Sequence, residues 1–203
     1  MKNIDTSFFN VRSLQMPTEA GDLLVAEPFL TENWFDHAVI SIIDHNDDEG
    51  TTGVVLNVPI LSTLDEVLDG VERKGDPVTV FCGGPLSHDR LYFVHTLGDE
   101  VIPDARPYAP GLWIGGDFNA AVRYVNEGYP LDGMIRFFIG YSGWAPGQLK
   151  REIKESTWAV LKPSMSPAEQ LSGFGDAMWH DAVRQLGDRY RPWQMVPKEA
   201  RDN

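Results

Sequence analysis

Apolar residues along this chain come mostly in short runs, each halted by glycine, proline or a cluster of acidic side chains, and that pattern predicts strands more often than long helices. The run at 23–26 is the first, and Pro28 stops it because proline cannot donate to a central ladder. Runs at 38–43 and 52–57 flank the polar stretch Asp44, His45, Asn46, Asp47, Asp48, Glu49 and Gly50, which predicts a β-hairpin with an acidic tip. Further strands are expected at 78–82, 91–95, 112–114, 135–141 and 157–161.

Helices announce themselves by their ends. Thr63 with Glu66 forms a capping box before Val67 and Leu68, with Gly70 as the stop. Asp117 can cap a helix that sets Phe118, Ala121, Val122 and Val125 on one face and ends at Gly128. After the strand at 135–141, Ser142, Gly143, Trp144 and Ala145 lead into a short helix opened by Pro146, with Leu149 and Ile153 on its buried face. Ser166 and Glu169 make another capping box, and Trp179, Ala182, Val183 and Leu186 mark a last helix closed by Gly187. Strands and helices alternate without βαβ regularity, so the expected class is α+β and not a doubly wound parallel sheet. Residues 1–20 lack clean periodicity, although Phe8, Phe9, Val11 and Leu14 suit a docking segment; they are expected to form an N-terminal extension to a single domain spanning 21–203.

Composition narrows the function classes. With 203 residues, 42% of them hydrophobic, the chain can bury a core without disulfides or metal. Its formal charge of −13 would repel a phosphate backbone, and Arg184, Arg189 and Arg191 are interleaved with Asp188, so direct nucleic-acid binding is not expected. Cys82 stands alone, no leader is evident in the first thirty or so residues, and no apolar run approaches the ~20 residues of a membrane span. A cytoplasmic protein without membrane contact is the expectation.

Several stretches taken together resemble the YqgE/AlgH family: GDLLVAEP at 21–28, EGTTGVVLN at 49–57, CGGPL at 82–86, LYFVH at 91–95, GLWIGGD at 111–117 and GYSGWAPGQL at 140–149. The resemblance implies a branched, mixed β-sheet that includes a small closed β-barrel and is surrounded by helices. It also implies kinship with a proposed regulator of alginate synthesis, but it brings no catalytic residues with it. Leu86 replaces a more usual valine, and a thiol at Cys82 is not part of the pattern.

Candidate chemistry centres on the GYSGWAPGQL turn. Ser142 mimics a nucleophile elbow, yet Trp144 stands where the second small residue belongs and would clash in that tight turn. His180 and Asp181 are adjacent on a predicted helix and point to different sides, so they make poor triad partners. Gly83 and Gly84 follow a strand, but Pro85 removes an amide and no P-loop lysine follows. Gly115 and Gly116 precede Asp117, whose carboxylate would claim the same amides and repel a phosphate. His37, His45, His88, His95 and His180 show no metal-ligand spacing, the acidic tip fails as an EF-hand, and His45 could pair with His95 only if their strand ends converge. No cofactor or metal is expected. Trp144 and Tyr141 read first as aromatics that anchor a sharp strand-to-helix corner. The candidate set for ligand or partner binding is Asn57, Gly83, Gly84, His95, Tyr141, Gly143, Trp144 and Gln148. The leading expectation is a regulatory or binding protein that acts through a protein partner or small ligand. The alternative is a small-molecule enzyme with its site near the same turn, around Asn57, His95, Tyr141, Trp144 and Gln148.

Overall fold

The computed structural model describes residues 11–30 and 34–196, so Phe8 and Phe9 lie outside the described residues. Among the described residues there are ten strands: β1 (Leu23–Ala26), β2 (Val39–Asn46), β3 (Gly50–Val55), β4 (Pro59–Thr63), β5 (Thr79–Cys82), β6 (Leu86–His95), β7 (Arg106–Ala109), β8 (Leu112–Ile114), β9 (Ile135–Trp144) and β10 (Trp158–Leu161). Helices α1 (Leu64–Val67), α2 (Phe118–Asn126), α3 (Gln148–Lys154), α4 (Pro167–Gln170) and α5 (Gly175–Gln185) are joined by a 3₁₀ helix at Asp188–Met195.

The sheet follows the path β10-β1-β2-β3-β9-β6-β8-β7, with β5 and β4 branching off β9. All pairings are antiparallel except that of β5 with β9. Branching follows from the length of β9. One edge pairs with β6 from Ile135 to Tyr141, while the other pairs first with β5, through Val80 opposite Phe137, and then with β3, through Gly53 opposite Ser142. The small closed barrel implied by the resemblance is not formed: the path has two free ends, and among the described residues no ladder joins β7 to β2. What brings β7 back toward β2 is side chains: the Tyr108 and Ser41 hydroxyls lie 3.2 Å apart, and Arg106 faces Asp44. The result is a strongly curled, open half-barrel.

Burial explains the order of layers. All four residues of β1 are fully buried because alternate side chains enter cores on both faces: Leu23 and Val25 meet α5 and the 3₁₀ helix, while Leu24 and Ala26 meet α3, Trp144 and Trp158. A third core lies under α2, where Ala121 and Val125 pack against Phe93 and Phe137. The Asp117 carboxylate caps α2 by accepting from the Asn119 amide, and Thr63 and Ser166 donate their amides to the glutamates of their capping boxes. The expected apolar face of α2 is shifted by about one position: Ala120, Ala121 and Val125 are buried, while Phe118 is exposed and touches Phe93 edge-on.

A buried cation ties the layers together. The Arg136 guanidinium donates to the carbonyls of Leu56, Leu171 and Gly173 at 2.5–2.7 Å and lies 4.2 Å from the Phe81 ring centre. It therefore fastens the loop between α4 and α5 to the sheet. Residues ahead of β1 are also attached: Ser13 donates its amide to Ser156, Leu14 donates to the Tyr190 hydroxyl, and Thr18 meets His45.

Candidate functional site

Chain crossing at the branch point sets the local geometry. As β5 gives way to β3 along β9, Gly83 and Gly84 pass directly over Gly140, Tyr141 and Ser142. A side chain at Gly84 would run into the Ser142 hydroxyl and lie 2.5 Å from the Tyr141 carbonyl carbon, and φ is +144° there, so only glycine fits both constraints. Gly83 sits as tightly on the Gly140 carbonyl. Ser142 is fully buried and donates to the Gly83 carbonyl at 3.1 Å. Its hydroxyl is committed to the crossing and is not presented at the apex of a turn.

Beyond the crossing, β9 ends at Trp144 and the chain turns through Gly147 into α3. The Trp144 ring is buried, edge-on to Trp158 at 5.9 Å, and packs beside Leu149 and Ile153. Both indole N–H groups donate to one Glu152 carboxylate oxygen at 2.8 Å, and Gln148 donates to the other at 2.9 Å while accepting from the Ala145 amide. These polar groups satisfy one another, which gives the corner an architectural explanation.

The remaining candidates lie apart. Asn57 is buried, accepts from the Val39 amide and donates to the carbonyls of His37 and Gly175, joining β3 to the start of α5. His95 pairs with Ile135 while Leu86 pairs with Tyr141, which places His95 roughly 20 Å along β9 from Tyr141 at the usual strand rise. His95 bonds the Gly115 carbonyl at 3.1 Å, and burial pushes its pKa below the usual histidine value against the pull of that carbonyl. His45 instead contacts Thr18 and Thr51, so no contact joins His45 to His95 among the described residues. Asn57, His95, Tyr141, Trp144 and Gln148 are not brought to one cavity.

What does converge at Tyr141 is a different group. A cavity of about 290 Å³ opens at the mouth of the half-barrel, floored by Ile43, Val54 and Ile114. Tyr92 and Tyr141, edge-on at 5.9 Å, form one wall, and Ser87, Arg90 and Arg106 form the rim. Neither tyrosine hydroxyl has a hydrogen-bond partner among the described residues, and Arg90 has no ion pair there. Arg106 faces Asp44 at 3.7 Å, and both side chains are largely exposed, so this pair contributes little. Ser87 holds φ at +54°, uncommon for a residue with a side chain, within the irregular stretch of β6 between Leu86 and Leu91. Gly143 lies in an adjoining groove of about 400 Å³ with Leu86, Thr52 and Tyr141.

A second cluster also escaped sequence reading. His37 stacks on Trp179 with ring centres 3.7 Å apart, and Asp176 bridges His37 and His180. A signal existed for Tyr92, since it shares a face with Arg90 in a period of two; none existed for Arg106, whose strand lacks alternation. Among the described residues there is no cluster of histidine, cysteine and acidic side chains that could hold a metal ion. No helix among them is long and apolar enough to cross a membrane.

Comparison with known proteins agrees with the motifs. Residues 23–191 match the family model described as DUF179, AlgH-like. A UPF0301 protein of Parabacteroides distasonis is 40% identical over 183 residues, covering 88% of each chain. The crystal structure of a Corynebacterium diphtheriae protein shares the fold at a TM-score of 0.72 and 24% identity, covering 92% of this chain and 99% of that one. The solution structure of AlgH from Pseudomonas aeruginosa does so at 0.65 and 24%, covering 85% and 92%. The chain belongs to the AlgH-like family.

Proposed function

We propose that the protein is a cytoplasmic binding protein, not an enzyme, which takes a small ligand at the half-barrel mouth walled by Tyr92 and Tyr141. Any regulatory output would then follow from occupancy of that mouth. The observation that carries the reading is a concave site lined by Ile43, Val54 and Ile114 together with two tyrosines whose hydroxyls have no hydrogen-bond partner among the described residues. The Tyr108, Tyr124 and Tyr190 hydroxyls are engaged by the protein, and Tyr129, which also lacks a partner among the described residues, is half exposed on the outer surface and not in this concavity. No nucleophile with an adjacent base lines the mouth, which favours binding over catalysis.

A ligand-observed NMR screen of small soluble fragments tests this reading, with hits mapped on isotope-labelled protein. Hits should compete for one site, shift resonances of Tyr92 and Tyr141, and weaken in Tyr141→Leu. Hits that map elsewhere, or an empty screen, would count against it.

An enzymatic reading near the 140–149 turn would rest not on Asn57, His95, Tyr141, Trp144 and Gln148 but on His45, which lies in a cleft of about 270 Å³ beside Ala145, Gly147 and Lys150. Its ring nitrogens already face Thr18 and Thr51, so a free base would first require Thr18 to move away.

A further inference from the structure

The rim of the mouth carries a chemistry that its floor does not share. Arg90 and Arg106 come from strands that are not neighbours, β6 and β7, and reach the same cavity only because β8 lies between them in the curled sheet. In a chain of net charge −13 with only 17 lysines and arginines, two guanidiniums on one small concavity make a local cationic spot on an acidic molecule. Asp44 offsets part of it from 3.7 Å, while Arg90 remains without an ion pair among the described residues. Guanidinium groups match the planar, two-oxygen face of a carboxylate or phosphate better than ammonium does. Beside them, the half-buried rings of Tyr92 and Tyr141, set edge-on to each other, offer apolar surface with polar tips, which suits a flat ring with a polar substituent. At about 290 Å³, the cavity is at the small end for ligand sites and suits a single ring with one anionic group.

We propose that the mouth binds a small aromatic anion, with its carboxylate or phosphate held between Arg90 and Arg106 and its ring laid against Tyr92 and Tyr141. The inference rests on the small-ligand reading above and adds the ligand's chemical class. Ser87 contributes at the rim, where its backbone turn opens the edge of β6 beside the arginines. Carboxylate and phosphate share this recognition chemistry, and the test separates them.

The test is an amide and arginine side-chain NMR titration of the full chain with phenyl phosphate, benzoate, inorganic phosphate and benzyl alcohol. Phenyl phosphate or benzoate should shift resonances of Ser87, Arg90, Tyr92, Arg106 and Tyr141 in a saturable manner, and the tighter of the two identifies the anion. Inorganic phosphate and benzyl alcohol, each carrying half of the recognised chemistry, should bind at least tenfold more weakly. Arg90→Ala and Arg106→Ala alter exposed side chains, so folding should be retained, and each should weaken the aromatic anion about tenfold. If benzyl alcohol binds as well as phenyl phosphate and the arginine variants change nothing, the anion assignment is overturned while small-ligand binding stands. If no probe shifts the mouth, both readings fall. A short polyglutamate peptide serves as a competitor, and tighter binding by the peptide at the same resonances would overturn the small-molecule assignment.

Discussion

Replacing Trp144 with alanine tests whether the corner is architecture. The indole is only 6% exposed, lies edge-on to Trp158, and fills space between β9 and α3 beside Leu149 and Ile153. Truncating a large core aromatic to alanine costs about 3–5 kcal/mol, the spread reflecting how far the site can collapse. Collapse is restricted here because Glu152 keeps its bonds to Trp158 and Gln148 and so holds α3 in place. For a domain of this size, each kcal/mol corresponds to roughly 2–4 °C in Tm, so Trp144→Ala should melt about 6–20 °C below wild type. Trp144→Phe keeps most of the ring but loses the N–H bond to a carboxylate, and should cost about 2 kcal/mol. Thermal unfolding followed by circular dichroism, with urea midpoints as a check, measures both variants. A Trp144→Ala protein that melts within about 2 °C of wild type would refute the architectural account and reassign the indole to binding.

Other sites make separate claims. Arg136→Met would leave the carbonyls of Leu56, Leu171 and Gly173 without their donor; at about 1–3 kcal/mol each the loss should exceed about 3 kcal/mol in urea unfolding, and Arg136→Lys should recover only part. His95 has its pKa lowered from 6.5 by burial, so the unfolded chain takes up a proton before the folded one; stability from this group should fall as pH drops below 6.5 and be fully present above it. The ring C–H NMR titration should have its midpoint below 6.5, and His95→Gln should flatten the acid limb of the stability curve; a midpoint at or above 6.5 would contradict burial of the neutral ring. Gly84→Ala should cost more than about 3 kcal/mol or abolish soluble expression, because the new methyl meets backbone at the crossing, and a near-native melt would show that the crossing is loose.

Much of the fold could be read from the chain where both faces of an element are buried. β1 coincides with its apolar run because every side chain in it meets a core, and β8 does so although only Leu112 is fully buried. β4 and β7 were missed because Pro59 and Pro107 sit in exposed edge strands, where no alternation is required. β6 and β9 run further than their apolar stretches predict: the added start of β6 is polar because Ser87 and Arg90 border an open cavity, and the added end of β9 is broken in pattern by the buried Ser142 at the crossing and by Gly143. The same effect hid the site. Tyr141 was legible through its glycine-rich setting, whereas Arg90 and Arg106 become neighbours only through the strand order β6-β8-β7, which leaves no local trace. Closure of the barrel was likewise not decided by local pattern: it depends on whether β7 reaches β2 with its backbone, and only its side chains do.

The most direct test of the account is native mass spectrometry of the freshly purified protein beside a Tyr92→Ser/Tyr141→Ser variant. The wild type should carry a small-molecule adduct that the variant lacks, with melting shifted only modestly by the two half-buried substitutions. Identical spectra for the two proteins, each with or each without the adduct, would contradict the claim that these rings form the ligand site.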